Sequence, residues 1–183
     1  MARVIAGMML SLDGFVSDSE GSVALLYPDM EAMRESASLQ EAIQATGAVI
    51  MGRRSYEMGG GDFTGYEFQA PIFVVTHRVP EQVAKGENDR LTFTFVTDGV
   101  ASAVAQAKAA AGNRDVTIVG GPSIIQQCLN AGLVDELQID MCPVLLGGGL
   151  RLFEHLEVAG IVLEPISAGQ SSFATELRYR VVK

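Results

Sequence analysis

Basic residues are scarce in this chain, and their scarcity excludes one class of partners. The 183 residues include 13 Lys and Arg against 22 Asp and Glu, which gives a formal net charge of −9. Such a charge repels the nucleic-acid backbone and acidic membrane surfaces, and no cluster of basic residues offsets it. The sequence therefore predicts neither a nucleic-acid partner nor a membrane partner.

Cysteine and histidine are equally scarce. Cys128 and Cys142 make no disulfide framework, His77 and His155 lie far apart, and the chain has no C-x-x-C or H-x-E motif. A zinc enzyme is therefore not expected, although a metal held by carboxylates alone stays open. We predict no metal cofactor.

Long apolar runs are also absent, since none approaches the roughly 20 residues of a membrane span. The apolar start of the chain is interrupted at Ser11 and Asp13, and no small-residue cleavage site follows it. We interpret this start as a first strand and expect a cytoplasmic protein. With 48% hydrophobic and 19% charged residues, residues 1–183 are expected to form one folded domain.

Short apolar runs alternate with helical patterns along most of the chain, as in α/β proteins with a largely parallel sheet. Runs rich in β-branched residues predict buried strands. These strands are at residues 4–10, 48–51, 72–76, 92–96 and 116–119. Helical periodicity predicts three helices between and after them, at residues 29–46, 99–111 and 122–131. Asp98 is expected to cap the second helix.

The pattern changes after the third helix. Leu137, Ile139 and Met141 alternate with polar residues, which predicts a half-exposed strand that ends at Pro143. The same alternation over residues 173–181, preceded by residues 161–167 and a turn at 169–170, predicts an antiparallel hairpin. The expected fold class is thus α/β, with a mainly parallel central sheet and an antiparallel C-terminal strand.

Polar, glycine-rich segments follow three predicted strands, at the sheet edge where α/β proteins bind ligands. In the first, Gly52, Arg53, Arg54 and Ser55 join a strand to a short helix. The first amides of a helix suit an anion such as a phosphate. In the alternative interpretation Gly52 only makes a tight turn and both arginines are solvated.

The second segment places Thr76, His77 and Arg78 in a row at the end of a buried strand. This trio could hold the 2′-phosphate of NADPH, because arginine offers phosphate a bidentate fork. An ordinary polar strand exit is the alternative.

The third segment contains Gly120, Gly121, Pro122 and Ser123 between a buried strand and a helix. Two glycines allow a ligand to approach the backbone closely, and the helix amides behind them can face a pyrophosphate. A purely structural turn is the alternative. The dinucleotide fingerprint G-x-G-x-x-G is absent, which weakens a conventional dehydrogenase interpretation.

Two loops complete the candidate site. Ser11, Asp13 and Gly14 follow the first strand, and Asp13 is the candidate acid, although a solvated loop aspartate is the alternative. The run from 147 to 149 is three glycines within an apolar loop that carries Arg151, which suggests unusual dihedral angles or motion.

Taken together and in order, these segments resemble the dihydrofolate reductase superfamily. The nearest similarity is to the C-terminal reductase domain of riboflavin-biosynthesis proteins and its stand-alone relatives. The resemblance rests on SLDGF (11–15), VIMGRRSYE (49–57), VVTHR (74–78), VGGPSIIQQCLNAGLVDEL (119–137) and PVLLGGGLRLF (143–153). It implies a three-layer fold with an eight-stranded sheet, NADPH as hydride donor, and a homodimer.

The resemblance also implies roles for individual residues. Cofactor phosphates would meet residues 52–55, the adenosine 2′-phosphate would meet residues 76–78, and the pyrophosphate would lie over residues 120–123, with a cis peptide between the two glycines. Ser11, Asp13, Gly14, Tyr27 and the glycine loop would form the substrate side.

Residues 11–27 contain three acids and no base, and Phe15 stands where riboflavin-pathway reductases carry a basic residue. A ribose-phosphate substrate needs a nearby cation, for which Arg34 and Arg151 are available. The alternative is an uncharged substrate that packs on Phe15, Tyr27 and Leu145.

We therefore expect an NADPH-dependent reductase that resembles 5-amino-6-(5-phosphoribosylamino)uracil reductase. The alternatives are a dihydrofolate-reductase-like activity on another heterocycle or ketone, and a non-catalytic NADPH-binding protein.

Overall fold

The computed structural model describes residues 2–157 and 160–182. Its centre is an eight-stranded sheet with the order β5-β4-β3-β6-β1-β7-β10-β9, and β2 and β8 form a separate two-stranded sheet. The strands are β1 Val4–Ser11, β2 Phe15–Ser17, β3 Thr46–Gly52, β4 Ile72–Val75, β5 Phe93–Val96, β6 Asp115–Ile118, β7 Glu136–Cys142, β8 Leu150–Arg151, β9 Val162–Gln170 and β10 Thr175–Val182.

Neighbouring strands from β5 to β7 are parallel. The predicted α/β class and mainly parallel sheet are therefore confirmed. The helices are α1 Met30–Arg34, α2 Ala37–Ala45, α3 Arg53–Met58, α4 Val100–Ala111 and α5 Pro122–Asn130, with a 3-10 turn at Ala24–Leu26. None of the helices in the described part of the chain has the length and apolar character needed to cross a membrane.

The two faces of the sheet are covered differently. Side chains of α4 and α5, such as Val104 and Ile125, pack on one face in a large buried cluster with Ala6 and Ile50. On the opposite face, here called the α2 face, α2 and α3 pack over β3 and β4, while α1 and the 3-10 turn cover the end of β1. Helices on both faces of one sheet give the predicted three-layer fold.

The prediction of a single helix over residues 29–46 is wrong, because two separate helices occupy that range. Ser36 ends α1 by donating from Oγ to the Met33 carbonyl at 2.7 Å, and the same oxygen accepts from the Leu39 amide at 3.4 Å to cap α2. A serine that satisfies both helix ends favours a break there over a continuous helix.

Two smaller expectations are also corrected. Asp98 does not cap α4, since Gly99 is the N-cap residue and no side-chain cap hydrogen bond is made. The C-terminal hairpin is present and antiparallel, but β9 continues through Gln170 and the turn lies at residues 171–174, closed by the Ser171 amide donating to the Ala174 carbonyl. Because β9 also pairs with β10, two C-terminal strands belong to the central sheet, where the expected fold class had one.

Candidate active site

The glycine pair lies at the carboxyl end of β6, beside the end of β3. The Gly52 amide donates to the Gly120 carbonyl at 2.8 Å, which joins the two strand exits, and the Gly120–Gly121 peptide is cis, as the family resemblance implies. A Cβ on Gly52 would come within 2.9 Å of Ile124 Cγ1. Close packing against α5 therefore explains why residue 52 is a glycine.

Gly121 has no comparable packing reason to be glycine. Its φ of −72° suits any residue, and the nearest atom to an added Cβ would be Ser55 Oγ at 3.8 Å. The surface over Gly121 is thus open on the protein side, which fits a group that lies flat against the backbone.

A cavity of about 330 Å³ opens beside the exits of β4 and β5, and it combines an aromatic wall with a rim of mixed charge. Tyr56 and Phe95 form the wall and meet edge to face with ring centroids 5.3 Å apart. Two arginines, Arg53 and Arg78, are at the rim together with Glu57 and Glu81. This combination of a flat apolar surface and guanidinium groups suits a nucleotide that carries a phosphate.

The two arginines of the rim are not equally available. Arg53 Nε donates to Glu57 Oε1 at 2.6 Å in an exposed ion pair, whereas the ion pairs within residues 2–157 and 160–182 leave Arg78 unpaired. The Thr76 hydroxyl donates to the Arg78 carbonyl at 2.8 Å and accepts from the Arg78 amide at 3.2 Å. Thr76 therefore holds the turn that presents Arg78.

The predicted cofactor residues do not all meet at one place. Gly52, Ser55, Gly120 and Gly121 come together at the glycine pair, and Arg53, Thr76 and Arg78 line the cavity. Other predicted residues are outside the cavity lining and exposed, namely Arg54, His77 and Ser123. Pro122 begins α5 directly after the glycine pair.

On the substrate side, Asp13 fastens two loops together. One Asp13 oxygen accepts from Ser11 Oγ at 2.6 Å and from the Leu146 amide at 3.1 Å, while the other accepts from the Gly147 amide at 2.7 Å. These contacts, the Ser11 hydroxyl first, lower the pKa of Asp13 from 3.8 to about 2. An acid this strong is ionised at neutral pH and is a poor proton donor, so the geometry favours a loop-holding role over the predicted role as an acid.

Arg151 is also held by these loops. Its Nη1 donates to the Asp13 carbonyl at 3.1 Å, and its Cζ lies 4.1 Å from the centre of the Phe15 ring. Glu154 lies 3.9 Å from its Nε. Gly14 has a φ of +88°, which favours glycine at this turn, and a Cβ there would only make an ordinary contact with Arg151 Nη1 at 3.5 Å.

The other predicted substrate residues are separated. Tyr27 is partly buried beside Cys142 and Asp140, and this burial is the main cause that raises its pKa to about 12. Leu145 is 70% exposed. Arg34 Nε donates to Glu67 Oε1 at 2.8 Å. Both arginines that the sequence offered for a substrate phosphate are therefore engaged with the protein.

Three polar residues that the sequence reasoning missed lie on the α2 face: Gln138 and Asp140 of β7, and Arg178 of β10. Their alternation with apolar residues was interpreted as the solvent side of half-exposed strands. The signal that could have identified them is Gly7, which leaves a gap in an otherwise bulky first strand directly beside Gln138.

Comparison with known proteins identifies the family. The RibD C-terminal domain model matches residues 2–170. The Bacillus subtilis protein YyaP, which is uncharacterised, is 27% identical over 159 residues, covering 82% of this chain and 80% of YyaP.

Solved structures agree with this match. A protein of Shewanella sp. PV-4 assigned to riboflavin biosynthesis is 25% identical, with a TM-score of 0.80 and full coverage of both chains. Dihydrofolate reductase from Enterococcus faecalis, solved with NADP(H), is 16% identical with a TM-score of 0.63, covering 99% of this chain and 97% of that one. The similarity to dihydrofolate reductase shows the fold alone. The matched range covers most of the chain and shows that the chain belongs to the RibD C-terminal domain family.

Proposed function

We propose that this protein is an NADPH-dependent reductase of the riboflavin-pathway kind, which reduces a C=N or C=O bond in a small heterocyclic or sugar-like substrate. The observations that carry the proposal are the cavity lined by Arg78, which has no ion-pair partner among the described residues, and the open surface over Gly121. When bound, NADPH supplies the hydride. The family match and the NADP(H)-bound structural neighbour support the same cofactor.

The residues present fit the cofactor. Arg78 would bind the 2′-phosphate, Tyr56 and Phe95 would contact the adenine, and the backbone at Gly120 and Gly121 would lie against the remaining part of the molecule. The protein then acts mainly by positioning two reactants and excluding water between them.

The test is a titration with NADPH and, separately, with NADH. The fluorescence of the reduced nicotinamide reports binding. We expect NADPH to bind more tightly, and Arg78→Ala to remove most of the preference. A charged hydrogen bond is worth about 1.5–3 kcal/mol, or roughly 10- to 150-fold in affinity. Arg90→Ala is the matched control, because Arg90 is exposed, outside the cavity lining and outside the segments predicted to bind the cofactor. Equal affinities for NADPH and NADH in the unmodified protein would contradict the proposal.

A non-catalytic NADPH-binding protein is the second candidate, since Asp13, the predicted acid, is ionised and engaged in joining two loops to each other. Oxidation of NADPH that depends on an added pyrimidine, pterin or ketone separates the two. Tight binding of NADPH without oxidation by any of these compounds would favour the second candidate.

A further inference from the structure

Helix α5 holds part of the substrate side in place through two amide side chains. It carries Gln126 and Asn130 four residues apart, a spacing that puts both on one face of the helix. Both side chains bind residues 151–157, here called the α5-bound segment. The helix that starts at Gly121 therefore also holds the segment that carries Arg151.

Gln126 is buried although it is polar, with 8% of its surface exposed. Its Nε2 donates to the Leu152 carbonyl at 2.8 Å and to the Arg151 carbonyl at 3.3 Å. Leu152 is fully buried, so bulk water cannot replace this donor at its carbonyl. The two hydrogen bonds fix the backbone at the residue from which the Arg151 side chain starts.

The Arg151 side chain crosses from the α5-bound segment to the loop after β1. Its Cζ lies 4.1 Å from the centre of the Phe15 ring, and its Nη1 donates to the Asp13 carbonyl at 3.1 Å. The Phe15 residue is 6% exposed, whereas the Arg151 side chain is 46% exposed. Of this stacked pair, it is Arg151 that is open to a ligand.

Asn130 binds the other end of the α5-bound segment. Its Nδ2 donates to the His155 carbonyl at 2.9 Å, and its Oδ1 accepts from the Glu157 amide at 2.9 Å. His155 has a φ of +55°, which residues other than glycine seldom adopt. Asn130 therefore stabilises a strained turn four residues beyond Arg151.

We infer that Gln126 is a positioning residue, which keeps the Arg151 guanidinium on the Phe15 ring by holding the backbone at residues 151 and 152. The inference rests on the proposed reductase function and deepens it. A cation–π contact at a partly exposed site is weak, and an arginine side chain has several rotatable bonds, so the stack persists only where the backbone is fixed. Loss of the Gln126 amide releases Arg151 from Phe15, which weakens substrate binding and leaves NADPH binding unchanged.

The direct test is the proton NMR spectrum of the Arg151 side chain. Protons stacked on an aromatic ring are shifted upfield by the ring current, so the unmodified protein should show this shift and Phe15→Leu should remove it. Gln126→Met keeps the length of the side chain but loses the amide donor, and we expect the shift to disappear. Gln126→Asn, whose amide is one methylene shorter, gives the same test if Gln126→Met does not fold.

Two controls separate positioning from stability. Gln127→Met changes the neighbouring glutamine, which is exposed and donates to Ser123 Oγ at 3.1 Å, and it should keep the shift. Asn130→Ala also removes two hydrogen bonds to the α5-bound segment, so it should lower the melting temperature and yet keep the shift. An unchanged shift in folded Gln126→Met, or the same loss in Asn130→Ala, overturns the inference.

Steady-state kinetics connect the stack to the substrate, using whichever pyrimidine, pterin or ketone supports NADPH oxidation. We expect Gln126→Met to raise KM about 10-fold, the size of one hydrogen bond, with kcat and the Kd of NADPH close to those of the unmodified protein. An unchanged KM in a variant that has lost the shift overturns the role in substrate binding and keeps the reductase function. Loss of the shift in a protein that never oxidises NADPH leaves the positioning of Arg151 standing and removes the reductase function.

Discussion

At the scale of single residues, Gly121 offers the cleanest separation of cofactor binding from folding. Gly121→Val should abolish NADPH binding, because the added side chain occupies the open surface over this residue, and the protein should stay folded, since the nearest atom is 3.8 Å from an added Cβ. Titration with NADPH measures the first effect, and circular dichroism and thermal unfolding measure the second.

The matched control is Gly65→Val. Gly65 is exposed, an added Cβ there would meet nothing within 4 Å, and the residue is outside the cavity lining. The Gly65→Val variant should bind NADPH as the unmodified protein does. Normal NADPH binding by Gly121→Val would mean that the glycine pair serves only the turn between β6 and α5.

The site residues differ in how far the sequence could predict them. Gly120 and Gly121 can be predicted from local sequence alone, because a strand followed by two glycines and a helix is itself a pattern that indicates a ligand site. Asp140 and Arg178 were missed because they come from strands far apart in sequence, and only the pairing register places them on one face. The pairing partner of a half-exposed strand is a tertiary property that alternation alone does not contain.

At the scale of elements, Asp13 connects the loop after β1 to the glycine loop, and this connection depends on pH. The folded-state pKa of Asp13 is lowered from 3.8 to about 2, mainly by the Ser11 hydroxyl. A lowered pKa stabilises the folded state above the unfolded pKa, and this contribution is lost as the pH falls through the folded pKa. The advantage of Asp13 over an asparagine should therefore be full above pH about 4 and decline towards pH about 2.

Thermal unfolding of the unmodified protein and of Asp13→Asn over this pH range measures the effect. We expect a higher melting temperature for the unmodified protein at neutral pH and a difference that shrinks in acid. Limited proteolysis should also cut residues 144–149 faster in the variant, since two amides of this loop lose a charged acceptor. A difference in melting temperature that is constant with pH would contradict this role.

Elements were predicted well where local signals agree and poorly where they compete. The buried strands and α4 follow from β-branched runs and helical spacing. Residues 29–46 also satisfy a helical pattern over their whole length, but Ser36 provides hydrogen bonds that a continuous helix could not use. The pairing of β2 with β8 escaped prediction because both strands are too short to show an alternation.

At the scale of the whole molecule, β9 is a long strand that is exposed over its full length. It lies at the edge of the sheet, all nine residues are exposed, and Val162, Leu163 and Ile166 add apolar surface. An exposed apolar edge strand favours pairing with another chain. We propose that β9 contributes to the expected homodimer.

Light scattering coupled to size exclusion tests this proposal. The unmodified protein should elute as a dimer, and Ile166→Lys should shift it towards a monomer with little loss of helix and strand content. Val83→Lys is a control that adds the same charge at an exposed apolar position outside β9. A monomeric unmodified protein would contradict the proposal.

The position of β10 has a consequence for synthesis on the ribosome. β10 lies between β7 and β9, although it follows both in sequence. A nascent chain that has already made β1, β6 and β7 can assemble the parallel part of the sheet, but β7 keeps an open edge until residues 175–182 have been translated. During that interval β7 can add a strand from another nascent chain. Premature stop codons just before β10 should therefore give aggregated polypeptide rather than a smaller folded protein.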